Sequence, residues 1–173
     1  MTIGSMKGVG VMVEHANGLV LGAGEGRSIW FLDALLTWKA TEKVTGGWEL
    51  VEQLGPRGFG PPLHLHNREA EGFYILDGEV SFTVHDREFL ASAGTFVFVP
   101  PDTAHSFVVE SPVARFLTFV TPPALESFLD ELAQPAAARS LPPSGAEVDI
   151  QRFDEAAARH GQKTLGPPMS PRT

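Results

Sequence analysis

The sequence predicts an all-β fold: an antiparallel β-barrel of the double-stranded jelly-roll kind, with C-terminal helices. Three observations carry that expectation. Short apolar runs recur from Val9 to Val120 between Gly, Pro and Asn turns. Several runs alternate with period two, which on a strand sends successive side chains to opposite faces. The alternation stops at Val120, and beyond Thr121-Pro122 apolar residues recur at helical spacing. No helical pattern interrupts the β region, so a βαβ fold is not expected.

In chain order, Val9 to Val13, Leu19 to Leu21, Ser28 to Leu32, Leu35 to Trp38 and Trp48 to Leu54 read as strands. Asn17-Gly18, Gly22 to Gly26 and Gly46-Gly47 punctuate them. Pro56 to Pro62 is a loop leading into a strand that carries His64 and His66. Phe73 to Leu76 turns at Asp77-Gly78 into Glu79 to Val84, where Val80, Phe82 and Val84 share a face. His85 to Arg87 connects tightly to Glu88 to Ala91. In Thr95 to Val99, Phe96 and Phe98 oppose Val97 and Val99, and Ser106 to Val109 and Ala114 to Val120 complete the set.

Thr121 then reads as the cap of a helix over Pro123 to Leu132, with Pro122 at its first turn and a stripe of Leu125, Phe128, Leu129 and Leu132. Pro135 ends it. Ala136 to Ala146 is a connector. A second, weaker helix runs from Asp149 to His160, capped by Asp149, with Ile150 and Phe153 apolar and Gly161 at its end. The Pro-rich tail from Gly166 to Thr173 reads as irregular. The expected organisation is one domain over 1–133, built on 58–78 and 94–109 and including the first helix. A connector, short helix and tail follow over 134–173, and no internal repeat is visible. Met1 to Met6 carry no weight in this reading.

A chain of 173 residues with 43% hydrophobic and 20% charged content is a globular domain able to bury a core. The formal net charge of −8 and the lack of a basic run argue against nucleic acid or an anionic membrane surface as partner. Cys is absent, which removes thiolate metal sites, cysteine nucleophiles and disulfides and fits a cytoplasmic protein. No apolar run reaches membrane-spanning length, and no secretory signal is evident.

Chemistry concentrates between Gly58 and Gly78. His64 and His66 lie two apart, so a strand points both imidazoles to one face, and Glu71 follows after a short polar gap. His105 sits in a second strand-and-turn segment after Gly94 and Pro100. Three imidazoles and a carboxylate on rigid strands suit one divalent transition ion, and Fe, Mn, Ni, Co, Cu and Zn all accept such a set. Glu69 is the local rival of Glu71, since both lie in one strand phase. His15, His85 and His160 have no partner at ligand spacing and read as surface or capping residues. Gly22 to Gly26 lacks the Lys of a phosphate loop and reads as a turn, and no Ser/His/Asp constellation is visible. The twelve Phe residues are first of all core, and those lining the interior would make it suited to a flat, apolar or aromatic small molecule.

Gly58, His64, His66, Glu71 and Gly78 together resemble the first motif of the cupins. Gly94, Pro100 and His105 resemble the second, with departures at Asp102, where the family usually has Gly, and at Val109, where it often has Asn. Neither departure removes a ligand, and Asp can adopt the turn conformation that Gly would supply. At chain level the sequence is similar to small single-domain cupins of the quercetin 2,3-dioxygenase-like kind. The resemblance implies that His64, His66, His105 and Glu71 hold the metal. It also implies that Glu71 accepts the hydroxyl proton of a flavonol or similar enol, whose heterocycle O₂ then opens with loss of CO. Two other readings stand beside it: a metal-dependent isomerase or epimerase on a sugar or keto acid, which would need cationic pocket residues, and a non-catalytic binding module. A homodimer is the expected assembly, with barrel edges covered by a partner.

Overall fold

The computed structural model describes residues 18–143 and 149–173. The strand read at Val9 to Val13, and His15, lie outside the described residues. Leu19 to Leu21, expected as a strand, is not one. Two antiparallel sheets carry the fold. The larger is built from β1 (Arg27–Phe31), β2 (Ala34–Ala40), β3 (Glu49–Pro56), β5 (Ala70–Asp77), β8 (Phe96–Val99), β10 (Val113–Thr121) and β11 (Gln134–Pro135), in the order β11-β1-β2-β3-β10-β5-β8. The smaller holds β4 (Pro62–His66), β6 (Glu79–Val84), β7 (Arg87–Ser92), β9 (His105–Val109) and β12 (Gln162–Pro168), in the order β12-β4-β9-β6-β7. A short helix α1 (Glu42–Thr45) links β2 to β3, and α2 (Leu125–Asp130) and α3 (Ile150–Arg159) follow β10 and β11. The fold is the expected double-stranded jelly roll, its sheets remaining two separate ladders rather than one closed cylinder.

Alternation drives this packing. Val51, Gln53 and Gly55 of β3, Phe73 and Ile75 of β5, and Phe116, Thr118 and Val120 of β10 all face inward. Aromatic rings join the sheets: Phe73 meets Phe82 at 5.2 Å and Phe107 at 5.8 Å between centroids, and Phe107 meets Phe116 at 5.3 Å. These tilted and edge-on geometries suit the ring quadrupoles. Gly78 turns β5 into β6 at φ 81°, and a Cβ there would lie 2.6 Å from the Val113 carbonyl oxygen, so only Gly fits.

The helices depart from expectation in instructive ways. The first is shorter than the Pro123 to Leu132 reading, and Thr121 does not cap it. The Thr121 hydroxyl donates instead to the Gly47 carbonyl at 3.0 Å. The cap comes from a distant strand: the buried Glu49 carboxylate accepts from the backbone N–H of Ala124, Leu125 and Glu126 at 2.8 to 3.3 Å. Burial pushes the Glu49 pKa up even though these three donors favour its charge. Phe128 and Leu129 are buried as read, with Leu125 and Leu132 packed at the rim. The second helix matches closely. Asp149 caps it by accepting from Arg152 N at 3.0 Å, and Gly161 follows at φ 74°. Its buried face is Phe153, Ala156 and Ala157, whereas Ile150 is 70% exposed.

A strand that the sequence pattern did not show, β12, lies beside β4 and takes in the start of the tail as far as Pro168, while 169–173 are irregular as read. Gln162 pairs with His66 and Thr164 with His64. Its prolines sit where the register shifts, between Thr164 and Pro168, as expected of Pro at a sheet edge.

Candidate metal centre

Each residue singled out in the motifs reaches the site from a different constraint. The pleat of β4 puts His64 and His66 on its inner face, and antiparallel pairing sets His64 directly opposite His105 of β9. Glu71 enters from the opposing sheet, on β5. The four side chains offer ligand atoms that all lie within 4.8 Å of one another. His64 Nε2 and His66 Nε2 are 3.1 Å apart, and His105 Nε2 is 2.9 Å from Glu71 Oε2. Neighbouring ligands of one ion at about 2.1 Å stand about 3 Å apart, the spacing of these two pairs. Glu71 Oε1 lies 3.8 Å from His66 Nε2.

The outer nitrogens fix the tautomers. His64 Nδ1 donates to the Pro62 carbonyl and His105 Nδ1 to the Thr103 carbonyl, both at 2.8 Å. Each ring therefore turns its Nε2 toward the common point, as metal-ligating histidines do. Asp102, the departure from the motif, adopts φ 57°, the left-handed turn a glycine would supply, and its N–H donates to the His66 carbonyl at 2.8 Å. The donor set fits a divalent cation, and the cluster is able to bind one.

Electrostatics point the same way. Burial first, and then the neighbouring His105, lower the His64 pKa to about 3, so this ring is neutral. His66 is lowered too, chiefly by burial. Burial works against the charge of Glu71, but the hydrogen bond with His105 and the three imidazoles outweigh it and bring it down to about 2. Burial likewise opposes the charge of His105, yet Glu71 holds its pKa above the ordinary histidine value.

Glu69 is buried but stays outside the cluster, lining a small recess with His66, His160 and Gln162. His160 is more than a surface residue. Its Nε2 meets Glu131 at 2.6 Å, and Arg159 meets the same carboxylate at 2.5 Å, clasping α3 to the end of α2. His85 is exposed at its hairpin beside Asp86. Gly22 to Gly26 forms the expected turn, with Glu25 N donating to the Gly22 carbonyl at 3.1 Å.

Above the cluster lies a cavity of about 80 Å³, walled by Phe73 and Phe107 from the sheets and Phe59 from the loop between β3 and β4, and closed by Phe128 of α2 and Phe153 of α3. Among the described residues, no Lys or Arg lines it. Arg57 instead bonds the carbonyls of Glu110 and Arg172, and Arg115 faces Glu52 on the outer surface. Three polar residues in the wall went unnoticed in the sequence: Gln53, Thr118 and Gln162. Inward phase on β3 and β10 was the only signal for the first two. The third lies on a strand that the pattern did not reveal.

A family model described as Cupin domain matches residues 50–120. Quercetin 2,3-dioxygenase of Bacillus subtilis (strain 168) is 30% identical over 141 residues, which is 80% of this chain and 42% of that protein. An uncharacterized protein of Methanocaldococcus jannaschii is 34% identical over 56 residues, 32% of this chain and 45% of that one. The chain thus spans less than half the length of either relative. Among solved structures, a predicted oxalate decarboxylase from Thermotoga maritima aligns with a TM-score of 0.56 at 19% identity, covering 60% of this chain and 99% of that one. An RmlC-like cupin from Shewanella frigidimarina aligns at 0.50 and 23% identity, covering 59% and 88%. Both likenesses concern the fold, and the domain match gives the conclusion for this part of the chain: residues 50–120 form a cupin domain.

Proposed function

We propose that the chain is a metal-dependent dioxygenase acting on a flavonol or similar enol, with His64, His66, Glu71 and His105 as ligands and Glu71 as the base. The observation that carries this reading is the pairing of the cluster with an apolar, cation-free cavity directly above it. Its similarity to a quercetin 2,3-dioxygenase points the same way. A divalent transition ion held there would supply Lewis acidity and, for Fe, Mn, Co or Cu, a one-electron couple. The chain's own residues do the rest. The two Nδ1 hydrogen bonds hold the rings still. The aromatic walls exclude water and seat a flat molecule. Glu71, anionic across the working range, accepts the enol proton on a carboxylate oxygen. An isomerase or epimerase on a sugar or keto acid has less support, because no Lys or Arg among the described residues lines the wall.

Size sets a condition. A cavity of about 80 Å³ is smaller than the roughly 150 Å³ that accepts benzene in an engineered protein. A small enol fits with modest adjustment, whereas a flavonol enters only if α3 and Phe153 move aside.

The test is O₂ consumption by metal-loaded protein on a panel running from small enols to flavonols. Turnover is expected for at least one member, and Glu71→Gln is expected to keep much of the metal and lose about 10² to 10⁴ in rate. Wild type that binds the panel and consumes no O₂ rejects the dioxygenase and leaves a binding module.

A further inference from the structure

Outside the His/Glu cluster, the cavity wall is apolar except at Thr118 and at two amides that the chemistry above does not use. Gln53 projects inward from β3 and Gln162 from β12, at 6% and 8% exposure, and both line the cavity with the cluster. Among the described residues, the Gln53 side chain makes one hydrogen bond, its Nε2 donating to Thr118 Oγ1 at 2.7 Å. Among the same residues the Gln162 side chain makes none, although its residue pairs with His66 across the ladder. A primary amide carries two donors and an oxygen with two lone pairs. Leaving such a group dry and unpaired costs about 1–3 kcal/mol, and native proteins rarely tolerate it. Neither glutamine has a side-chain atom that is both sealed and unpartnered, and both residues line the cavity.

We propose that Gln53 and Gln162 are the specificity-determining residues of this cavity, and that they recognise the polar groups of a hydroxylated aromatic enol whose acidic oxygen lies at the His/Glu cluster. The inference rests on the function proposed above and narrows its substrate class. Thr118 orients the pair. With the Gln53 nitrogen held by its hydroxyl, the Gln53 Oε1 is the atom left to accept from a ligand hydroxyl. Gln162 faces His66, so its amide lies beside the cluster and donates to the oxygen next to the enol. The rings of Phe59, Phe73 and Phe107 supply the flat walls between them. A sugar carries polar groups on almost every carbon, more than two amides and apolar walls can satisfy. An unsubstituted hydrocarbon would leave both amides unpaired.

The experiment is calorimetric titration of metal-loaded wild type and variants with 3-hydroxyflavone and with its 5,7- and 3′,4′-hydroxylated analogues. Gln53→Leu is expected to weaken at least one hydroxylated analogue about tenfold or more while leaving 3-hydroxyflavone within about twofold. Gln162→Leu is expected to weaken the whole panel by about tenfold with metal content unchanged. Thr118→Val keeps the volume and removes the hydroxyl that orients Gln53. It is expected to show the selective loss in smaller measure, and it decides the matter if Gln53→Leu does not fold. An equal loss across the panel for Gln53→Leu, or none, overturns the assignment and leaves the dioxygenase reading standing; it would mean that water satisfies the amides. A wild type that binds no member of the panel overturns both.

Discussion

His105 holds the proton that an incoming cation must displace. Burial opposes its charge, but Glu71 at 2.9 Å outweighs burial and raises its pKa above the ordinary value. The sign follows directly. In the metal-free protein, that proton adds stability fully below about pH 6.5, the unfolded value, and the contribution fades as pH climbs through the higher folded pKa. A ligand ring must be neutral, so metal affinity runs the opposite way and rises across the same window. Glu71, near 2, and His64, near 3, are already in their ligating forms there. Competition against a chromophoric chelator is therefore expected to show affinity increasing by up to about tenfold per unit as pH rises from about 6.5. An affinity flat over that range contradicts the role given to His105. Replacing Glu71 with Gln removes the anion that retains the proton and is expected to move the rise to lower pH.

Among the elements, α2 depends on a residue far from it in sequence. Six residues make too short a helix to stand alone, and its three open N–H groups find the Glu49 carboxylate on β3. Arg27 of β1 reaches Glu126 and Asp130 at 2.7 and 2.8 Å, adding exposed ion pairs of small value. Glu49→Ala is expected to cost about 1–2 kcal/mol, in line with other lost caps, and to accelerate amide hydrogen exchange at Ala124 to Glu126 before the strands exchange. Unchanged protection at those amides would show that packing through Phe128 and Leu129 holds α2 without the cap. Because α2 and α3 form the roof of the cavity, the same variant is expected to quicken ligand entry.

For the whole molecule, the exposed face of the larger sheet is its most unusual surface. Phe96 and Phe98 of β8 are 62% and 57% exposed, and they run with Tyr74, Phe119 and Trp48 into one aromatic stripe. Together the five offer roughly 350–600 Å² of aromatic surface, most of the ~800 Å² that one side of a stable interface needs. β8 also ends its sheet, so its outer backbone edge has no strand partner among the described residues. A second copy related by a two-fold axis satisfies both needs at once, pairing edge with edge and stripe with stripe. The expected solution state is a homodimer by sedimentation, and Phe96→Asp with Phe98→Asp is expected to give monomers that keep their metal. A wild type that is monomeric at tens of micromolar rejects this face as an interface.

The strand pattern was legible in the sequence because period two is a local property: Val97 and Val99 had to face opposite to Phe96 and Phe98 wherever the strand lay. The cluster was legible for the same reason, since the pleat alone aligns His64 with His66, and the turn at Asp102 needed only its own φ. Tertiary structure decided what depends on contacts distant in sequence. It brought Glu71 rather than Glu69 into the cluster by packing β5 opposite β4, supplied the α2 cap from Glu49, and laid Gln162–Pro168 along β4 as β12. It also aimed Gln53 and Gln162 into the cavity, because whether an inward polar residue meets a partner, water or a ligand is set by the walls around it, and no local pattern encodes those walls.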